Sequence, residues 1–412
     1  MKLDYKKTLI IGLGFFTVSI IWGIYNIKMP LYLKDLNFSG VAVGSVMTID
    51  NIFAIIFLPL FGALSDRTNT RYGRRMPFLL VGIPLSAIAF FLIPFMQHNL
   101  LLLMSTVIAM NFFMSIYRAP TVALMPDLTP RPLRSKANGI INFMGGVGSV
   151  VIFLISGFLI NVNEFYPFAA GTLILIVIII LMYNLVREPK EIEDEKVVEV
   201  TETDTAGEKG KVLSLVFLLL AIFFWFTGFN AIETFFSTYG QEVLKISVSQ
   251  TSFLLAAFSG MFLIFAIPSG IIATKIGRKK VILTGLVVLL GVFLSLIFVK
   301  SILPISALLA VGGISWALIN INSYPMVVEM TANKGIGKYT GYYYFFSMLA
   351  AIVSPILFGF LKDLLGDSLL FVYSSVALVI AFFFMMLVKH GEAKLVTESE
   401  TKSAFEGIEH ME

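Results

Sequence analysis

Ionisable residues that lie inside long apolar runs are the first candidates for chemistry in this sequence. Asp50, Arg118 and Glu233 each interrupt such a run, and Lys28 lies near the end of another. A charged group at membrane depth is costly and marks a functional site by default. Asp50, Glu233 and Lys28 are therefore the candidates for proton coupling, with Lys28 placed to pair with Asp50. A permanent Asp50–Lys28 salt bridge and simple exposure of Glu233 at the membrane boundary are the structural alternatives.

Amide and aromatic residues accumulate in the first, fourth, seventh and tenth apolar runs. A buried amide is costly unless it is hydrogen-bonded, so these amides are expected to point inward. Arg118 is always charged and is expected to contact a solute, or to alternate between the solute and a carboxylate such as Glu329. Its alternative is snorkelling to the membrane boundary, and general packing is the alternative for the aromatic residues. The candidates for lining a solute cavity are Tyr25, Asn26, Asn111, Arg118, Asn230, Trp316, Asn320, Asn322 and Tyr343.

The elements that must position these residues are membrane-spanning helices. The chain of 412 residues is 58% hydrophobic and only 14% charged, against about 25% charged residues in soluble domains. Twelve apolar runs between residues 8 and 388 are long enough to span a bilayer. The prediction is an all-α membrane protein with twelve transmembrane helices in two six-helix halves, related by pseudo-two-fold symmetry and surrounded by lipid.

The distribution of basic residues predicts the orientation. Most of the 30 Lys and Arg residues fall on the side that holds the N-terminus. The other side holds Lys28, Lys34, Lys245, Lys300 and Lys362. Cytoplasmic loops carry the excess of basic residues, so both termini are predicted to be cytoplasmic, in a multi-pass protein of the plasma membrane.

The chain divides at one hydrophilic segment. Residues 120–125 (PTVALM) and 325–330 (PMVVEM) end equivalent runs in the two halves, which indicates a duplication. The predicted units are an N-terminal six-helix bundle (1–187), a cytoplasmic linker (188–211), a C-terminal six-helix bundle (212–388) and a cytoplasmic tail (389–412).

A polar loop recurs in the two halves. Residues 62–75 read GALSDRTNTRYGRR, and residues 270–280 read GIIATKIGRKK. The positions that define this motif are Gly62, Asp66, Arg67, Gly73, Arg74, Arg75, Gly270, Gly277 and Arg278.

The duplicated loop and the twelve runs resemble the major facilitator superfamily over the whole chain. Residues 74–78 (RRMPF) and 118–128 (RAPTVALMPDL) are similar to the sucrose–proton symporters and their solute-carrier-45 and glycoside–pentoside–hexuronide relatives. The resemblance implies alternating access around a cavity lined by spans one, four, seven and ten, with a sugar as substrate. It also implies that Asp66, with Arg67 and Arg74, holds a cytoplasmic gate.

A carboxylate at Asp66 can bind the N-terminus of the neighbouring span eleven, near Tyr339. The alternative is that the loop only enforces topology. The sequence also departs from the sugar-transporting group. Asn111 stands where that group has a proton-carrying aspartate, and Ala54 and Leu58 stand where sodium-coupled members have carboxylates. A sodium site of that type is therefore not expected.

The leading hypothesis is a monomeric secondary transporter that moves a di- or oligosaccharide or a glycoside together with protons. A facilitator, or an exporter of another small polar or amphipathic solute, is the alternative. An enzyme or a sensor is disfavoured. The three histidines lie outside the spans, cysteine is absent and no nucleotide-binding loop is visible. No cofactor, metal or nucleic acid is expected.

Overall fold

A computed structural model describes residues 4–129, 133–186, 188, 208–330 and 336–391. Within these ranges the chain is helical and contains no strand. The first half contains the helices α1 (Tyr5–Asp35), α2 (Gly40–Met47), α3 (Ile49–Arg67), α4 (Met76–Met96), α5 (Leu100–Leu128), α6 (Arg134–Leu159) and α7 (Tyr166–Leu185). The second half contains α8 (Glu208–Glu242), α9 (Val248–Ile276), α10 (Arg278–Phe298), α11 (Ile302–Val328), α12 (Ile336–Leu365) and α13 (Leu370–Leu387), with a short 3₁₀ helix (Asp367–Leu369) before α13.

Twelve spans in the described residues are long and apolar enough to cross a membrane, with α2 and α3 forming one span together. The prediction of an all-α, twelve-span protein in two halves is therefore confirmed. Most of the predicted linker, and the tail beyond residue 391, lie outside the described residues. The predicted boundary at residue 212 falls inside α8, because that helix already begins at Glu208.

Polar side chains cap the helices that follow two of the short loops. Asn99 accepts a hydrogen bond from the backbone of Leu102 at the start of α5. Ser247 and Gln250 form a reciprocal capping box at the start of α9. Such caps satisfy backbone N–H groups that have no partner within the helix. We call the side where α1 begins the N-terminal face and the other side the opposite face.

The second span is broken at Thr48, where α2 ends and α3 begins. The Thr48 hydroxyl donates a hydrogen bond to the Ser45 carbonyl, 2.8 Å away. The break places Asp50 in the first turn of α3. A helix N-terminus favours negative charge, so the backbone itself makes this position suitable for a carboxylate within the membrane.

The two halves are closed against each other toward the opposite face. Lys34 of α1 forms an ion pair with Glu242 of α8. The Asp363 carboxylate of α12 accepts a hydrogen bond of 2.5 Å from the backbone N–H of Gly40, at the start of α2. The Ser249 hydroxyl of α9 donates to the Gly157 carbonyl of α6 over 2.5 Å.

Candidate functional site

The two halves enclose a small cavity of about 130 Å³ near the closed side. Its acidic residues are Asp50 from α3 and Glu233 from α8, so each half contributes one carboxylate. The remaining polar lining consists of Asn26, Asn51, Asn230 and Thr234.

Hydrogen bonds to amides hold both carboxylates in place. The Asn26 side chain donates to Glu233 Oε1 over 3.2 Å, from one half to the other. The Asn51 side chain donates to Asp50 Oδ1 over 2.9 Å. The site therefore contains two carboxylates on separate halves, and one of them is hydrogen-bonded across the boundary.

A larger cavity of about 580 Å³ lies closer to the N-terminal face. Arg118 of α5 lines it, and its guanidinium carbon lies 4.3 Å from the ring centre of Trp22. Trp22 lines both cavities. The indole ring therefore separates the carboxylate site from the arginine site.

Lys28 does not pair with Asp50, which corrects the expectation from the sequence. Its ammonium nitrogen lies 2.8 Å from a carboxylate oxygen of Glu164, in the loop between α6 and α7. The same nitrogen lies over the Tyr32 ring. Gln97 also donates to Glu164, over 2.6 Å. This cluster belongs to the first half alone, and Lys28 is not among the residues that line the small cavity.

Two amides that were predicted to line a cavity are buried and line neither of the two cavities. Asn111 is 3% exposed and donates to the Val107 carbonyl of its own helix over 3.0 Å. Asn322 is 2% exposed and donates to Ser269 and Leu318. An amide can thus be satisfied by the carbonyl four residues earlier, without facing a cavity.

None of the aromatic residues predicted to line a cavity is among the lining residues of these two cavities. Trp316 stacks on Phe229 with ring centres 4.1 Å apart, and Tyr343 is hydrogen-bonded to Ser323. Its neighbour Tyr344 lines the large cavity instead. Tyr25 is 2% exposed within the core, and Asn320 is not among the lining residues of either cavity.

Of the predicted cavity residues, Asn26, Arg118 and Asn230 line the two cavities. The lining residues absent from the predicted cavity set include Trp22, Asn51, Asn142 and Tyr344. Asn142 of α6 lies outside the spans that supplied candidates, so no residue-type signal selected it. The carboxylates expected to couple protons, Asp50 and Glu233, lie together, although they are 183 residues apart in the chain.

The polar loop after α3 forms an ion-pair network within the first half. Arg75 is hydrogen-bonded to Asp127 over 2.8 Å and pairs with Asp66. Burial alone would lower the pKa of Arg75, but its hydrogen bonds to Asp127 and Asp66 raise that pKa. Arg74 pairs with Asp127, and Glu188 accepts hydrogen bonds from the backbone of residues 74–76. The network holds the N-terminal-face ends of α3, α4 and α5 together.

The second copy of the loop makes a similar contact. Arg278, at the start of α10, pairs with Glu329, at the end of α11. In this conformation Glu329 pairs with Arg278, and the hypothesis that Arg118 alternates between the solute and Glu329 stays a prediction. Gly73 and Gly277 have backbone φ angles of +103° and +94°, which favour glycine. The side chain of Asp66 contacts Arg75 of its own half in this conformation, and the predicted contact with α12 is not formed among the described residues.

The fold and the two cavities define a membrane transporter built from two six-span halves. The chain belongs to the Major Facilitator Superfamily, whose family model matches residues 11–249 and 241–410. This confirms the superfamily prediction. The narrower resemblance to sugar symporters stays a prediction.

Two relatives of this chain have names that indicate different activities. It is 24% identical over 331 residues to a class H tetracycline resistance protein of Pasteurella multocida, covering 77% of this chain and 78% of that protein. It is 30% identical over 166 residues to an uncharacterised symporter of Synechocystis sp., covering 37% of this chain and 30% of that protein.

A solved structure with a similar fold is a bacterial homologue of the human lysosomal transporter Spinster, in an inward-facing and occupied conformation. It matches with a TM-score of 0.74 at 14% identity, over 94% of this chain and 97% of that chain. At this identity the match shows the shared fold.

Proposed function

We propose that this protein is a proton-coupled secondary transporter of a small amphipathic organic solute, with Asp50 and Glu233 as the proton-binding pair. The observation that carries the proposal is that these carboxylates come from opposite halves and line one cavity next to a larger one. Transporters of this architecture bind substrate and coupling ion near the bilayer midplane, between halves that rock.

The position of the carboxylates supports a coupling mechanism. The small cavity lies toward the closed side, where the halves separate when the opposite face opens. Two charged carboxylates facing each other in a small space repel, so protonation of one stabilises closure. Protons would then exchange at this site when the halves open, while the solute occupies the larger cavity beside Trp22.

The excess of basic residues on the N-terminal face supports an orientation with that face in the cytoplasm, in a multi-pass protein that we assign to the plasma membrane. The conformation described above then has its large cavity on the cytoplasmic side. One relative is named a tetracycline resistance protein, so tetracycline is the first solute to test.

Proton movement in proteoliposomes tests this proposal. Vesicles contain a trapped pH dye, and a tetracycline gradient is imposed on the wild type, Asp50→Asn, Glu233→Gln and the control Asp35→Asn. Asp35 is a carboxylate at the end of α1 and lies outside both cavities. We expect proton flux in the wild type and the control. Each cavity variant should lose about tenfold or more of this flux, because an amide cannot take up the proton that the carboxylate binds. A tenfold loss corresponds to about 1.4 kcal/mol.

Counterflow of labelled tetracycline separates coupling from binding. The Asp50 and Glu233 variants should retain counterflow, because exchange at equal pH needs no net proton movement. Proton flux that survives in both variants would show that these carboxylates do not couple transport.

Sugar–proton symport is the second candidate function. Polar residues of the large cavity, among them Ser19, Asn142, Ser149 and Ser259, can bind hydroxyl groups, and one relative is named a symporter. Proton uptake driven by a sucrose gradient, in the same vesicles, would favour this candidate over the first.

A further inference from the structure

Arg118 is the charged residue among those that line the large cavity. Within the part of the chain that the structure describes, its guanidinium makes no hydrogen bond or ion pair, and its carbon lies over the Trp22 ring. A guanidinium has five N–H donors in a fixed fork. These N–H donors have no acceptor among the described residues, so they are available to a ligand in the cavity.

Asp50 does not satisfy this charge, because its carboxylate lines the other cavity, beyond Trp22. No ion pair joins the two side chains among the described residues. The large cavity is therefore a positively charged site, and an anion placed there gains a charge-assisted, bidentate partner.

Apolar side chains form much of the rest of the wall. Phe15, Val18, Leu58, Phe262 and Met348 line the same cavity as Arg118. The volume of about 580 Å³ falls within the range of about 300–1,000 Å³ typical of small-molecule sites. Such a wall suits an apolar body but does not neutralise a charge.

We infer that the transported solute is an amphipathic organic anion, whose acidic group pairs with Arg118 and whose apolar body contacts the surrounding wall. The inference rests on the proposed transport function and names its substrate class. A carboxylate, a sulfonate and a phosphate monoester share the required chemistry. The face of the Trp22 ring contacts the guanidinium, and the N–H donors of Arg118 bind the anion.

Two fluorescent probes of matched shape test the inference by binding alone. Dansyl sulfonate carries a permanent negative charge, and dansyl amide is neutral. Binding to the detergent-purified protein is measured for the wild type, Arg118→Gln, Arg118→Lys and Arg71→Gln. Arg71 lies in the exposed loop after α3, where it stacks on Tyr72, and serves as the control for loss of one arginine.

The wild type and Arg71→Gln should bind the sulfonate about tenfold or more tightly than the amide, because charge-assisted hydrogen bonds are roughly twice as strong as neutral ones. Arg118→Gln should abolish this preference while the amide affinity stays within about twofold. Arg118→Lys should retain part of it, since it keeps the charge without the planar fork. Size-exclusion profiles establish that each variant is folded, and the lysine variant provides the test if the glutamine variant is not.

Equal wild-type affinities for the two probes, a lack of binding of either probe, or an equal loss of both in the Arg118 variants would overturn the inference. The proton-flux assay is independent of this result. Charge-selective binding without proton flux would refute the coupling proposal and leave the anion site standing. Proton flux without charge selectivity would do the reverse.

Discussion

The side-chain amide of Asn26 donates a hydrogen bond of 3.2 Å to the Glu233 carboxylate, from the first half of the molecule to the second. The contact lies beside the small cavity that both residues line. It must break when the halves separate at the opposite face, so it stabilises the conformation described here relative to the one open on that side.

Replacing Asn26 with Ala should therefore favour opening at the opposite face. A hydrogen bond to a charged group contributes about 1.5–3 kcal/mol, which corresponds to about a tenfold or greater shift in a two-state equilibrium. The chain has no cysteine, so a single cysteine introduced at Thr234, in the small cavity, reports access directly. Its labelling by a membrane-impermeant thiol reagent should accelerate in Asn26→Ala but not in Asn184→Ala, on α7. Equal rates in all backgrounds would show that the hydrogen bond does not influence opening.

The close crossing of α2 and α12 supports a second prediction. A Cβ atom added at Gly44 would lie 2.2 Å from the Pro355 carbonyl oxygen, so Gly44→Ala should push the two helices apart. Spin labels at Asn163→Cys and Ser301→Cys, in opposite-face loops of the two halves, should then show a longer distance. Gly291→Ala is the matched control, because nothing lies within 4 Å of its added Cβ. An unchanged distance in Gly44→Ala would mean that the crossing adapts locally.

The charged members of the candidate site were predictable because the membrane makes them costly. Asp50, Arg118 and Glu233 stand out in apolar runs, and the prediction that such residues face a cavity needs no knowledge of packing. The partner of Lys28 was not predictable in this way. Glu164 lies 136 residues away in a loop, and no local pattern joins the two positions.

The uncharged members were harder to predict, because helix rotation decides which side chain faces inward. Tyr343 and Tyr344 are adjacent, and about 100° of rotation about the axis separates them. Sequence favoured the first, whereas the second lines the cavity. Asn111 shows a different limit, since its amide is satisfied by its own helix, which periodicity cannot distinguish from an inward-facing amide.

The arginine network at the N-terminal face predicts unequal roles for its two aspartates. The side chains of Arg75 and Asp127 are 4% and 11% exposed, whereas that of Asp66 is 59% exposed. Asp127→Asn leaves a buried charge without its main partner and should cost about 3 kcal/mol of stability, whereas Asp66→Asn should cost less than about 1 kcal/mol. Thermal unfolding followed by tryptophan fluorescence measures both. Similar losses in the two variants would show that burial does not govern this network.

The Lys28–Glu164 contact predicts a pH-dependent contribution to stability. Burial raises the pKa of Glu164, but hydrogen bonds from Gln97 and Lys28 and the charge of Lys28 outweigh it, so the pKa lies below its ordinary value. A carboxylate with a depressed pKa stabilises the folded state above its unfolded pKa of about 4.3, and this stabilisation is lost as the pH falls through the folded pKa. The melting temperature of the wild type should therefore exceed that of Glu164→Gln near neutral pH and converge with it in acid. In a Lys28→Gln background the difference near neutral pH should shrink, and a difference independent of pH would indicate a packing effect instead.

Trp22 forms the shared wall of the two cavities, so its removal should connect the small cavity to the large one. Protons could then pass along a water-filled path without any solute. Trp22→Ala should raise the solute-independent proton leak of proteoliposomes under an imposed pH gradient by about tenfold or more, because the indole no longer blocks the path. A tenfold rise corresponds to a barrier lowered by about 1.4 kcal/mol. Trp316→Ala removes a ring of the same size that stacks on Phe229, and it should leave the leak near the wild-type value. An equal leak in both variants would point to a general loosening of packing, and no leak in either would show that the indole is not the barrier between the sites.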